Sequence, residues 1–216
     1  MAEGSAALTP FRVHIFVDFW NITLNLNALQ HKDSAPDFCI DWKNRLREYI
    51  MGETERKLKR SCEFMGMLVC GSYDSTNSND VNLRRWAENT LAKFYGVKPV
   101  FKQRQEKTFY AVCPNCHKTV EVCPTCGSQL KGTVEKGVDT EIASQMLSMA
   151  WNGAYDVAVL VSDDKDFVPV VEALRLKGVK VIHARPSANG GQILDNVCFD
   201  VIELGRNREK VDRTKI

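Results

Sequence analysis

Val157-Ala158-Val159-Leu160-Val161, followed by Ser162-Asp163-Asp164-Lys165-Asp166-Phe167, sets the fold of this chain. The five apolar residues belong to a strand running from Asp156 to Ser162. The acid-rich segment opens a helix over Asp164 to Lys177, and Gly178 ends it. Val179 to Ala184 reads as the next strand. The same alternation extends upstream. Arg12 to Asp18 is a compact β-rich run, followed by a polar, Asn-rich segment. Asp41 to Met51 has helical spacing, with Trp42, Leu46, Tyr49 and Ile50 on one side. Glu63 to Cys70 is a second strand, Asp80 caps a helix running through Trp86, Leu91 and Phe94 to Gly96, and Val97 to Phe101 is a third strand. A helix from near Gly137 to Asn152-Gly153 leads into the quoted strand. Downstream, a Pro/Ser/Asn/Gly loop and a short helix precede a last strand near Phe199 to Leu204. Strands separated by helices of about ten to fifteen residues imply right-handed crossovers and a mainly parallel sheet, hence an α/β domain.

At 216 residues the chain suffices for one such domain, expected over 1–205 and interrupted by an insertion over 104–134. Apolar residues make up 44% and charged residues 26%, which is ordinary globular usage. The apolar runs fall far short of the roughly 20 residues that a bilayer span needs, so no membrane partner is expected. Met1-Ala2-Glu3-Gly4-Ser5 lacks a basic region leading into an apolar stretch, so a cytoplasmic location is the expectation. A net charge of +2 does not demand a nucleic-acid partner. Residues 206–216 are mostly basic and read as a mobile tail, either inert or touching phosphates.

Cys113-Pro114-Asn115-Cys116 and Cys123-Pro124-Thr125-Cys126 are two C-x-x-C pairs in one short segment. Each can form a tight turn presenting two thiolates to a tetrahedral ion, so a structural Zn²⁺ in a small zinc-ribbon insertion is expected. Four sulfur ligands leave no open position, so this ion would stabilise and not catalyse. The knob could also meet RNA, a protein partner or a second copy of the chain. Cys39, Cys62, Cys70 and Cys198 are expected as small buried hydrophobes.

Three acidic signals stand at strand or helix ends. Asp18 closes the first strand with Asn21 three residues on, where it either caps a helix or faces the ligand crevice of a parallel sheet. Asp163, Asp164 and Asp166 crowd the end of the fourth strand; one or two would suit a helix dipole, and three favour a hard cation. Asp139 heads a stripe of Ile142, Ala143, Met146, Leu147 and Ala150, which would aim it at the sheet, with capping as the alternative. Glu141 points away from that stripe. If the first and fourth strands are neighbours, these acids converge on one spot suited to metal-assisted phosphodiester hydrolysis.

Phe16-Val17-Asp18-Phe19-Trp20-Asn21, Lys136-Gly137-Val138-Asp139 and Asp156 through Val181 resemble the NYN domain of the LabA-like branch, within the PIN-like nuclease superfamily. The resemblance covers nearly the whole chain apart from the insertion and the tail. It implies a three-layer, PIN-like (Rossmann-like) fold with strand order 3-2-1-4-5, which makes the first and fourth strands neighbours. It also implies that Asp18, Asp139, Asp164 and Asp166 are catalytic and hold Mg²⁺ or Mn²⁺, with Asn21 and Ser162 supporting the site or meeting substrate. The chain departs from the family where Phe19-Trp20 and Asp163 replace frequent glycines.

Lys165, Lys136, Arg185 and the loop from Ser187 to Gly191 are candidates to meet phosphates. Trp20 and Phe19 either stack on an unpaired base or pack in the core. The function so implied is a metal-dependent endoribonuclease for single-stranded or looped RNA, using two ions and a water nucleophile. A catalytically weak RNA-binding or regulatory module of the same fold is the alternative. A small-phosphoester hydrolase is a third reading, disfavoured because Trp20 stands where aspartyl-phosphate enzymes carry a second Asp.

Overall fold

A computed structural model describes residues 9–32, 38–108, 111–112 and 115–214. Strand β1, Phe11–Asp18, is buried from Val13 onward and lies in the middle of a six-stranded sheet. Helices α1 (Phe19–Lys32) and α2 (Arg45–Leu58) lead to β2, Cys62–Tyr73. Helix α3 (Ser78–Asn89) leads to β3, Val97–Gln103. The insertion supplies β4 (Gln105–Thr108), β5 (Ala111–Val112), β6 (Thr119–Val120) and β7 (Lys131–Val134). The chain then resumes with α4 (Val138–Trp151), β8 (Val157–Val161), α5 (Val168–Leu176), β9 (Lys180–Ala184), α6 (Gln192–Val197) and β10 (Asp200–Ile202).

The sheet is ordered β10-β9-β8-β1-β2-β3, and each neighbouring pair is parallel. This is the expected order with β10 added at one edge. Val13, Ile15 and Val17 of β1 face the helices α1 and α2, while Phe16 faces α4 and α5. Helices α1 and α2 therefore cover one face of the sheet, and α4, α5 and α6 cover the other. The switch falls between β1 and β8, which opens a crevice at their carboxyl ends. At the opposite ends, Arg12 donates its backbone N–H and guanidinium to Asp156, with Nη2 to Oδ1 at 2.7 Å, which locks the register of this central pair.

Helix α1 occupies the segment read as merely polar. Phe19, Ile22 and Leu26 form a buried stripe that outweighs the weak helix propensity of Asn21, Asn25 and Asn27. Helix α3 begins at Ser78, capped by the Asn77 side chain, while Asp80 instead accepts the backbone N–H of Asp74. The mobile-tail reading of 206–216 is corrected over its described part, 206–214. Val211 is fully buried, Asp212 pairs with Ile40, and Arg213 N donates to Cys39 O at 2.8 Å. Cys39 is exposed and not a buried hydrophobe; Cys70 is buried, and Cys62 and Cys198 are half-buried.

Candidate active site

Asp18 ends β1 in the crevice between β1 and β8. Its Oδ1 accepts the Asn21 N–H at 3.0 Å, so it caps α1, and its Oδ2 accepts the Ser162 hydroxyl at 3.4 Å. The capping and crevice readings of Asp18 thus both hold. Burial pushes its carboxyl up to about 6. The Asn21 N–H and the Ser162 hydroxyl oppose that rise, and the charges of Asp139 and Glu135 add to it. Ser162, fully buried at the end of β8, also accepts the backbone N–H of Asp164 at 3.2 Å. The side-chain oxygen of Asn21 accepts Asp163 N at 3.0 Å, and Asn25 Nδ2 steadies that same oxygen at 3.1 Å. Asn21 and Ser162 therefore stitch the start of α1 to the end of β8.

Asp164 is half-buried and accepts Asp166 N at 2.9 Å, opening a 3-10 turn over Lys165–Phe167. Lys165 and Asp166 are exposed on that turn. Asp139 does not head the buried stripe. The buried stripe is Val138, Ile142, Met146 and Ala150, with Ala143 and Leu147 packed partly buried beside it, so Val138 and not Asp139 is its first residue. Asp139 lies on the flank, exposed on one side. Partial withdrawal of its carboxyl from water, then the charges of Asp164, Glu135 and Asp166, raise it above the ordinary range. Because one side is wet, the crowding of charge is the more telling cause.

Glu135 is the acid that sequence reasoning missed. It sits in the link between β7 and α4, outside any helical or strand periodicity, and accepts a short hydrogen bond from the Ser72 hydroxyl. Five carboxylates, Asp18, Glu135, Asp139, Asp164 and Asp166, thus share one end of the sheet. Among the described residues, no three His, Cys, Asp or Glu side chains are posed to hold one ion as they stand.

The sequence pattern of the NYN domain matches residues 12–205. The chain belongs to the NYN domain family. NYN domains fall within the PIN-like nuclease superfamily. No match is found among curated proteins. Of solved structures, the chain is similar to a protein of unknown function from Vibrio parahaemolyticus, with 14% identity, a TM-score of 0.48 and coverage of 94% of this chain and 95% of that one.

Two residues placed at the site by sequence reasoning are engaged elsewhere in this NYN domain. Arg185, expected to meet substrate, is 7% exposed, and its guanidinium bridges Asp195 Oδ2 at 2.5 Å and Glu203 Oε1 at 2.8 Å. Asp163, expected to add charge to the cluster, turns away towards His183 Nε2 at 3.3 Å and accepts Ser187 N at 2.9 Å. Burial opposes its ionisation, and the close His183 ring and the Ser187 N–H overcome that and hold it below the ordinary range. Trp20 donates Nε1–H to Ser72 O at 2.8 Å, whereas Phe19 stacks on Trp42 inside the core.

In the insertion, β4 pairs antiparallel with β7, and β5 with β6. The second C-x-x-C forms the expected tight turn. Gly127, at φ +71°, donates to Cys123 O, and Cys123 N donates to Ser128 O, both at 2.8 Å. Hydrogen bonds with Ser128 and then with Cys123 lower the Cys126 thiol below its ordinary value. Cys116 lies in the turn before β6, and Cys113 lies outside the described residues.

Proposed function

We propose that this NYN domain is a LabA-like, divalent-metal-dependent endoribonuclease acting on single-stranded or looped RNA. The observation that carries the reading is the buried Asp18 carboxyl, held at about 6 beside the charges of Asp139 and Glu135 at the switch point of the sheet. Carboxylates crowded in this way repel one another, a bound cation relieves that repulsion, and hard carboxylate oxygens suit Mg²⁺ or Mn²⁺. Asp18, Asp139, Asp164 and Asp166 would hold the metal. Mg²⁺ commonly takes one or two carboxylates and completes its shell with water and substrate phosphate, which fits acids that crowd without forming a closed cage. When bound, the ion lowers the pKa of an attacking water and stabilises the leaving oxygen. Ser162 and Asn21 orient Asp18, and the exposed Lys165 is available to an approaching phosphate. Cys116, Cys123 and Cys126, with Cys113, would hold one structural Zn²⁺, for which the tight turn and the lowered Cys126 thiol are suited.

End-labelled single-stranded RNA incubated with Mn²⁺ or Mg²⁺ is expected to yield fragments with 5′-phosphates, and EDTA to stop the reaction. Loss of several kcal/mol of charge stabilisation in Asp164→Asn should slow cleavage by roughly a hundredfold or more. RNA left intact, or an Asp164→Asn variant as fast as the wild type, defeats the reading. RNA binding that survives both EDTA and Asp18→Asn, with no cleavage, would instead mark an RNA-binding module without turnover.

A further inference from the structure

Beside the acid cluster, a cleft of about 490 Å³ separates the loop after β2 from the foot of the insertion. Its walls include Ser75, Thr76, Gln103, Arg104 and Thr133. Two contacts fix the Arg104 guanidinium: Nε donates to the Ser72 hydroxyl at 3.0 Å, and the group lies 5.4 Å over the Trp20 ring. That same Ser72 hydroxyl donates to Glu135, so Ser72 links Arg104 to one member of the acid cluster. In the β1–β2 register Asp18 pairs with Cys70, and Ser72 lies two residues, roughly 7 Å, further along β2. The acids on the cleft wall are Asp74 and Glu106; both Asp74 oxygens already accept, Oδ1 from Thr76 and Oδ2 from Thr133.

A strongly acidic pocket repels a polyanion unless a cation lies along its path. A guanidinium fixed through Nε and an aromatic face presents its remaining N–H groups in the planar fork that matches phosphate. The cleft falls within the usual size range of small-ligand sites, and its hydroxyls and amides suit a sugar and a base. We propose that it is a nucleotide subsite, in which Arg104 takes a backbone phosphate of a single RNA strand whose neighbouring bond lies over Asp18. The inference rests on the nuclease reading for the nature of its ligand.

Anisotropy of a fluorescent oligouridine, with Ca²⁺ replacing Mn²⁺, tests the subsite apart from turnover. Loss of a charged hydrogen-bond pair in Arg104→Ala should raise Kd about ten- to a hundredfold. It should also flatten the slope of log K against log salt by about 0.7, as one phosphate contact on a single strand requires. Arg104→Lys should fall between. Ser75→Glu, at an exposed wall position, should weaken binding without touching Arg104. In cleavage, Arg104→Ala should raise KM and spare kcat. Unchanged Kd and slope in folded Arg104→Ala, or no RNA binding by the wild type, overturns the subsite. Cleavage that depends on Asp164 with a wild-type KM in Arg104→Ala removes the subsite and keeps the nuclease. Weakened binding by Arg104→Ala in a protein that cleaves nothing keeps the subsite and removes the nuclease.

Discussion

Asp163 and Asp164 are adjacent in sequence and part at the end of β8. Asp164 turns to the crevice, while Asp163 is held by His183 and the Ser187 N–H, where Gly191 leaves room; a Cβ there would lie 2.5 Å from Asp163 Oδ1. Sequence alone placed both acids at the strand end, because that follows from the apolar run before them. Which way each turns depends on a histidine and a loop some twenty residues downstream. Asp139 sits at the edge of the stripe it would head by spacing alone, because Val138, one residue earlier, takes the buried position at the start of α4. His14 supplies a prediction at this scale. Burial, with help from the Lys98 charge and against a backbone hydrogen bond at Ile15, lowers its imidazole from 6.5 to about 4. The folded chain therefore keeps His14 neutral at pH values where the unfolded chain protonates it. The stability this represents is fully present above 6.5 and is lost as pH falls towards 4, about 3 kcal/mol in all. Urea unfolding from pH 7 down to pH 4 should show a shallower loss in His14→Phe than in the wild type. Parallel curves would place the titration elsewhere.

Elements were legible where periodicity and burial agreed. The strands β1, β2, β8 and β9 are legible because a central parallel strand leaves an apolar run that loops do not imitate. The edge strands β3 and β10 are legible from the turn and helix signals that bound them. Helix α1 is legible only as the helix that Asp18 would cap, because its three asparagines mask a narrow apolar stripe, and tertiary burial outweighs their propensity. The segment after Gly205 failed for the opposite reason. Its charges made it look solvated, yet one residue, Val211, carries it into the core beside Ile40 and Leu46. Asp41 N donates to Val211 O at 2.9 Å, and Arg45 Nη1 donates to Asp212 O at 3.0 Å, so backbone and side chains fasten the same stretch. Val211→Ala should then cost roughly 2 kcal/mol, from lost burial plus the cavity left behind. An unchanged urea midpoint for Val211→Ala would show that this stretch adds nothing to the core.

At the scale of the whole molecule, the insertion is a poor folding unit attached to a good one. Among residues 115–130 every side chain is exposed except Cys123 and Leu130, which are half-buried, so this segment has no core of its own. Strands β5 and β6 hold two residues each, and a hairpin of that size is at best marginal in water. A metal is the ordinary remedy for a unit too small to bury apolar surface, which is an argument for zinc independent of the cysteine spacing. The two legs of the insertion end at Arg104 and Glu135, both hydrogen-bonded to the Ser72 hydroxyl. Loss of the metal should therefore reach the crevice through these two residues while sparing the parallel sheet, whose register is fixed by β1, β2 and β8. Protein purified under reducing conditions should carry about one zinc per chain by mass spectrometry, and Cys126→Ser should release it. In the variant, far-UV circular dichroism and the main thermal transition should stay near wild type, while hydrogen exchange over 115–130 becomes fast. RNA cleavage should then show a raised KM with kcat less affected, the pattern expected from freeing Arg104. A wild-type chain free of zinc, or a Cys126→Ser chain whose main transition collapses, would detach the insertion from this account.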